Sequence, residues 1–396
     1  MFRRQWFYPG LIILLAGLLL REPPLVLLAT LVIASLSLAG LWNHYALVGL
    51  QYQRQFAETR VFPGETIDLT LRVLNRKPLP LPWLELTDTV PLKLPPLKGQ
   101  YGVSSVPTLG TLSHLVDLRW YERVSWHYRL MAKERGYYTF GPLTLRSGDV
   151  FGFFETESRW EQNDHLIVYP RLVPLEKLGL PSKQPFGGIK SLQRIFEDPS
   201  RTIGIRDYQR EDAFKRIHWK ATARRQALQV RVYEPTSILH LVICLNIATM
   251  REYWQGVDPV LLEGTISVAA SLADYGLRER YSVGLLANGS LPESDQPIRV
   301  LPGRSPGQLT AILEALAKIT PFPIADMGSF LDSEASRLPW GATLVVVSGV
   351  ADEGLLTALV HLREAGRRVV LVSVGGGAFP PGVLRNIVHY DLKCPD

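Results

Sequence analysis

Two apolar stretches at the N-terminus constrain this chain more than any other feature. "WFYPGLIILLAGLLL" (6–20) is apolar apart from turn-forming Pro9 and Gly10, "REPP" (21–24) interrupts it, and "LVLLATLVIASLSLAGLW" (25–42) is apolar and uncharged. A bilayer core takes roughly 20 apolar residues as helix. The second stretch reaches that length with its flanks, and the first falls slightly short. Trp6, Phe7, Tyr8 and Trp42 lie at the ends, where aromatic belts form. Residues 1–50 are therefore expected to form a transmembrane helical hairpin closed by a Pro-Pro turn. A cleaved leader is the competing reading, with Arg3 and Arg4 ahead of an apolar run, but no clear small-residue cleavage site follows and a second run comes at once. Arg3, Arg4, Arg54 and Arg60 flank the open end of the hairpin, against Arg21 alone in its turn. That excess predicts a two-helix protein of the cell membrane with both ends, and all later domains, in the cytoplasm.

The rest of the 396 residues exceed what one core usually serves. Residues 51–170 alternate with period two. In "TIDLTLRVL", Ile67, Leu69, Leu71 and Val73 alternate with polar residues, and in "VSWHYRL" Val124, Trp126, Tyr128 and Leu130 do the same. Turn signals such as "FPGE" (62–65), "NRKP" (75–78) and "SGD" (147–149) separate the runs. This pattern predicts an antiparallel β-sandwich. Residues 171–236 read as a connector that ends in a charged run and a strand. Residues 237–396 alternate apolar strands ("ILHLVICLNI", "YSVGLLA", "ATLVVVSGV", "RRVVLVSVGG") with helical stretches near 259–277, 305–319 and 352–365. That order predicts a Rossmann-like α/β domain with a parallel sheet.

Chemistry is scarce. Such sheets bind ligands outside the carboxyl ends of their strands. There the chain offers "NIATM" (246–250) and "SGVADEG" (348–354), neither of them a phosphate loop, and "GGGAF" (375–379) opens no helix with the required spacing. G-x-S-x-G is missing, the eight histidines have no metal spacing, and Cys244 and Cys394 form no motif. The net charge of +6 suits a membrane surface or an acidic partner but does not by itself indicate nucleic acid. These features predict a protein that is not an enzyme, with no cofactor and no nucleic-acid partner.

One run stands out. "GIRDYQREDAFKRIHWKATARR" (204–225) holds seven Lys or Arg, three acids, a His, a Trp and a Tyr. Asp212 would cap a helix continuing through Arg225. Phe214, Ile217 and Ala221 would share one face, with His218 at its edge. Asp212, Arg216 and Lys220 would form a ladder of i,i+4 pairs on the other, joined by Trp219. A phosphate or acidic-peptide clamp and a nucleic-acid contact are the functional readings. A charged joint between the sandwich and the α/β domain is the structural one, and the interleaved acids favour it.

The same run, extended through "QALQVRVYEP", resembles the signature of the domain of unknown function 58 family. Gly204, Arg206, Tyr208, Asp212, Ile217, Trp219, Ala223, Arg224, Leu228, Val230 and Glu234 match it, and Lys215 and Arg216 cover a basic position. Glu211 replaces the family's usual Gly. "ERGYYTFGPLTLRSGDVFGFFE" is similar to a second family run, with Val150 in place of Pro. The resemblance implies a bacterial membrane protein with an immunoglobulin-like sandwich and a von Willebrand factor A-like domain. It also implies a scaffold or adaptor role beside a MoxR-type AAA+ ATPase. Active A domains hold a divalent metal through D-x-S-x-S after the first strand and an Asp after the fourth. Asn246 and Ala248 stand at the first of these places, Ser348 and Gly349 at the second. A hard cation wants several oxygens with carboxylate charge, so no bound metal is expected. A metal-dependent ligand-binding protein on the outer face, or an enzyme accessory near the cell envelope, are the alternatives.

Overall fold

The computed structural model describes residues 7–180, 196–209, 212, 214–236, 239–250, 255–292, 294–339, 341–350, 352–376 and 387–394. The chain divides into two compact units, Met1–Tyr169 and Pro170–Asp396. The apolar helices thus share a unit with the first β-rich region, and the expected connector falls inside the second unit.

In the first unit, α1 (Phe7–Leu20) and α2 (Pro23–Ala46) run antiparallel. Gly10 permits their approach, since a Cβ there would lie 3.0 Å from Ile33 Cγ1. Leu19, Leu27 and Leu31 point outward and are exposed. α2 is long and apolar enough to cross a bilayer, while α1 is a shorter apolar helix. The Lys77 ammonium closes the end of α2, donating to the carbonyls of Tyr45, Ala46 and Val48. A helix C-terminus leaves such carbonyls without partners, and its dipole favours a cation there.

Eleven strands follow: β1 (Leu50–Phe56), β2 (Arg60–Val61), β3 (Thr66–Asn75), β4 (Leu81–Pro91), β5 (Gly102–Val103), β6 (Leu109–Leu118), β7 (Arg123–Met131), β8 (Gly136–Phe140), β9 (Leu143–Gly148), β10 (Glu155–Trp160) and β11 (Asp164–Val168). They form three sheets, ordered β1-β3-β7, β10-β9-β4-β6-β5 and β2-β11-β8. Neighbours are antiparallel except β2 and β11. Ile67, Leu69, Leu71 and Val73 turn inward as their alternation requires, and one core joins Leu69, Leu86, Phe140 and Leu166 from all three sheets. Arg54 is buried, and each of its three guanidinium nitrogens has a partner. It donates to Asp88 through Nε at 2.8 Å and Nη2 at 2.7 Å, and through Nη1 to the Gln162 carbonyl and Asp164. Tyr52 donates to the same Asp88 at 2.7 Å. A buried charge is tolerable when its hydrogen bonds are met in this way.

The second unit opens with β12 (Phe196–Asp207), α3 (Trp219–Arg225) and β13 (Gln229–Thr236), the two strands pairing antiparallel. β12 includes residues 196–203, which the sequence pattern assigns to an irregular connector; residues 181–195 lie outside the described residues. Then come β14 (His240–Leu245), α4 (Pro259–Arg278), β15 (Ser282–Ala287), β16 (Ile298–Gly303), α5 (Gln308–Lys318), α6 (Met327–Ala335), β17 (Thr343–Ser348), α7 (Glu353–Glu364), β18 (Arg368–Val374) and β19 (Val388–Leu392). The sheet order is β16-β15-β14-β17-β18-β19, all parallel except β16. Every residue of β15 and β17 is buried, which accounts for their apolar centres, "VGLLA" and "LVVV". α4 also has the length and composition of a membrane span, but it is mostly buried in this unit and serves as a core helix.

Candidate functional site

Two places in the α/β unit gather polar side chains. The first is the crevice at the carboxyl ends of the central strands. β14 has β15 on one side and β17 on the other, so the chain reverses its direction of sheet growth there, and a crevice opens outside the strand ends. The hollow measures about 340 Å³, and Asn246, Ala248, Asn288, Asp326, Val350 and Asp352 are among the residues lining it.

Its floor is a closed hydrogen-bond network. Asn246, Asn288 and Ser348 are all buried. Asn246 Nδ2 donates to Ser348 Oγ at 3.0 Å, while its Oδ1 accepts from Asn288 Nδ2 at 2.9 Å and from the Ala248 N–H at 3.1 Å. Asn288 Oδ1 accepts from the Ile247 N–H at 2.9 Å, and its Nδ2 also donates to the Ala325 carbonyl. Ser348 Oγ donates to the Val350 carbonyl at 2.9 Å. Gly349 has a packing role: a Cβ there would lie 2.8 Å from the Leu261 side chain on α4.

Asn288, Asp326 and Asp352 escape the sequence reading. Asn288 follows a strand without a motif, and Asp326 precedes α6, a helix that the sequence pattern does not set apart. Asp352 sits in a quoted run but four residues past the strand. Asp326 accepts from the Ser329 N–H at 2.8 Å and hydroxyl at 2.6 Å. Burial pushes its carboxyl up, but hydrogen bonds from the Ser329 side chain and the backbone of Ser329 and Gly328 outweigh burial and leave it below the usual range. Among the described residues, no three or more His, Cys, Asp or Glu come together as a metal site.

The second place is the β12–β13 hairpin, which carries the run at 204–225. Here the expected helix needs correction. Residues 214–216 form a short 3-10 turn, Ile217 bridges to Val230 and is buried, and α3 begins only at Trp219. Its N-cap is His218, whose Nδ1 accepts from the Ala221 N–H at 3.1 Å. The cause lies in two anchors. The His218 N–H donates to the Gln229 carbonyl at 2.8 Å, which holds that residue against β13 and out of helical geometry. Asp212 is held chiefly by Arg206, which grips it through Nη1 and Nη2, each at 2.6 Å, while the Gln209 N–H donates to it at 2.9 Å and the charge of the expected Arg216 adds a smaller attraction. The Arg206 guanidinium and the Gln209 amide hold the Asp212 carboxyl below its usual range.

This fold leaves large aromatics outside. Phe214 is 74 % exposed and Trp219 67 %, and α3 contains no buried residue. The Tyr208 ring lies 6.1 Å from that of Phe214. Beside them a hollow of about 390 Å³ is lined by Ile205, His218, Lys220, Arg224, Arg225 and Gln229. Arg206, Tyr208, Asp212, Arg216, His218, Trp219 and Arg224 are therefore gathered on one hairpin. Glu234 lies opposite Asp198 in the strand register, and its side chain falls outside the described residues.

An open α/β unit with a switch-point crevice, preceded in the chain by a cation-rich hairpin, is the class of structure these sites define. Residues 204–375 match the family described as "Protein of unknown function DUF58". "Uncharacterized protein YeaD" of Bacillus subtilis (strain 168) is 25 % identical over 253 residues, which cover 63 % of this chain and 59 % of that protein. The chain thus spans less than two thirds of that relative. Among solved structures, proximal thread matrix protein 1 from the mussel byssus has a TM-score of 0.29 at 13 % identity, over 40 % of this chain and 44 % of that one. The CARDB domain of the PF1109 protein from Pyrococcus furiosus has a TM-score of 0.21 at 12 % identity, over 30 % of this chain and 91 % of that one. Likenesses at these scores define no fold class.

Proposed function

We propose that this protein is a membrane-anchored, non-enzymatic scaffold whose β12–β13 hairpin docks a protein partner in the cytoplasm. The partner class is the MoxR-type AAA+ ATPase that the family resemblance implies. The carrying observation is the exposure of Phe214 and Trp219 among Lys220, Arg224 and Arg225. Aromatic and Arg side chains are the usual anchors of protein interfaces. In this reading the first unit is an immunoglobulin-like sandwich fixed to the bilayer by α1 and α2. The second is a von Willebrand factor A-like unit whose crevice has been given over to structure. Co-purification of the full chain from membranes tests the reading. An ATPase should be retained with ATP or without it, and its loss under both conditions would overturn the proposal.

The residues of the crevice do not fit the divalent ion of an active A domain. Asn246 brings no charge, its Oδ1 already accepts two N–H groups, and Ala248 supplies no hydroxyl. Asp326 and Asp352 are the observation on which a metal-dependent reading would rest. Titration of the full chain with manganese is expected to show no stoichiometric binding. Stoichiometric binding that disappears in Asp352→Asn would favour the metal-dependent reading instead.

A further inference from the structure

The hairpin tip between β9 and β10, "DVFGFF" (149–154), has no part in the function proposed above. Its shape is fixed in advance. Asp149 is buried, and its carboxylate accepts from the Phe151 N–H at 2.9 Å and the Phe154 N–H at 2.7 Å. Gly152 takes a φ of +75°, which turns the tip. The result presents apolar side chains to the outside: Val150 is 61 % exposed and Phe151 60 %, with the Phe151 and Phe153 rings stacked at 5.9 Å. Just behind the tip the surface becomes charged, as Arg146 pairs with Glu155 at 2.6 Å.

The position of this tip is decisive. Phe154 packs with Leu36 and Ala39 of α2, and Phe153 and Val32 pack against that cluster. Leu36 lies about 20 Å along the helix from Pro23, at ~1.5 Å per residue, inside the roughly 30 Å of hydrocarbon that a spanning helix crosses. The other helix gives the same level. Gly10 lies against Ile33, so Tyr8, two residues earlier and exposed, reaches the level of Ser35. Tyr8 and the Phe153–Phe154 contact on α2 therefore lie at nearly one level along the helix pair.

Resting on the membrane-anchored reading, we infer that the tip Val150–Phe153 inserts into the lipid interface beside α2 and seats the β-rich unit against the bilayer. The occupant is lipid because the apolar surface of the tip is continuous with that of the helices. The Arg146–Glu155 pair marks the level where water begins. An apolar, preorganised tip gains by burying its area in acyl chains and loses little chain entropy in doing so.

The test uses the full chain in phosphatidylcholine–phosphatidylglycerol vesicles, with Cys394→Ser to remove the accessible thiol; Cys244 is fully buried. Single cysteines replace Phe151, Leu28 on α2, and Val103, which is exposed on the β-rich unit. Each carries an environment-sensitive fluorophore. Lipids bearing a nitroxide near the headgroup are expected to quench the label at 151, with a blue-shifted emission, and to leave the label at 103 unaffected. The label at 28 should be quenched by nitroxides deeper in the chain. Quenching at 28 with a water-like label at 151 overturns this inference and leaves the anchor standing. A blue-shifted label at 151 that lipid does not quench also overturns it, because protein then covers the tip. A label at 28 that no lipid quenches removes the anchored reading and this inference with it.

Discussion

At the carboxyl end of β14 each polar side chain is answered by another: Asn246 by Asn288 and Ser348, Asn288 by the backbone of Ile247 and Ala325. On the β12–β13 hairpin, earlier in the chain, Phe214 and Trp219 stand in solvent, and Lys220, Arg224 and Arg225 lie on the same hairpin. Position in the fold makes the crevice the expected ligand site. Its side chains are nonetheless spent on one another. The hairpin occupies no privileged position, yet it carries the residue types that bind partners. The difference teaches that topology alone does not supply unspent groups, which the proposed docking surface requires.

Breaking the network should produce the largest change. Asn288→Ala leaves the Ile247 N–H, the Ala325 carbonyl and Asn246 Oδ1 short of a partner each. At about 1–3 kcal/mol per buried group left unsatisfied, the loss is on the order of 3 kcal/mol. Thermal unfolding of the full chain in detergent should show the lowered transition. An unchanged transition would mean that the network carries no stability, and the crevice would regain its claim as a binding site.

Acid should loosen the hairpin next. Asp212 has a depressed pKa in the folded chain, so its contribution is present above the ordinary carboxylate range and is lost as pH falls through the folded value. Protection of the Gln209 amide, its exchange rate compared with the intrinsic rate at each pH, should fall on that descent, and Asp212→Asn should remove this pH dependence. The smallest change in stability is expected for Trp219→Ala, within about 0.5 kcal/mol, as for exposed positions without special contacts. The same substitution should abolish retention of the partner. A large loss of stability would instead mark Trp219 as part of a structural joint.

Much of the architecture is legible in the sequence because burial leaves a periodic trace. Ile67 to Val73 alternate and point inward; the runs around Val242 and Val345 are apolar throughout and lie buried on both faces. The helix over 212–225 is not legible. Its composition permits a longer helix, but the Gln229 carbonyl and Arg206, which lie beyond its two ends, fix His218 and Asp212 outside it. Asn288 and Asp326 likewise enter the crevice only through pairing of β14 with β15 and the approach of α6, contacts that leave no local pattern. The exposure of Trp219 is invisible for the same reason: periodicity reports which residues share a face and not whether that face is covered.

Site-specific photo-crosslinking in intact membranes tests the central claim most directly. A benzophenone side chain would be placed at Trp219 on the hairpin, and in a second preparation at Met250, which is exposed at the crevice rim. The account predicts a protein adduct containing an AAA+ ATPase from position 219 and none from position 250. An adduct from position 250 alone would contradict it and move the working surface to the crevice.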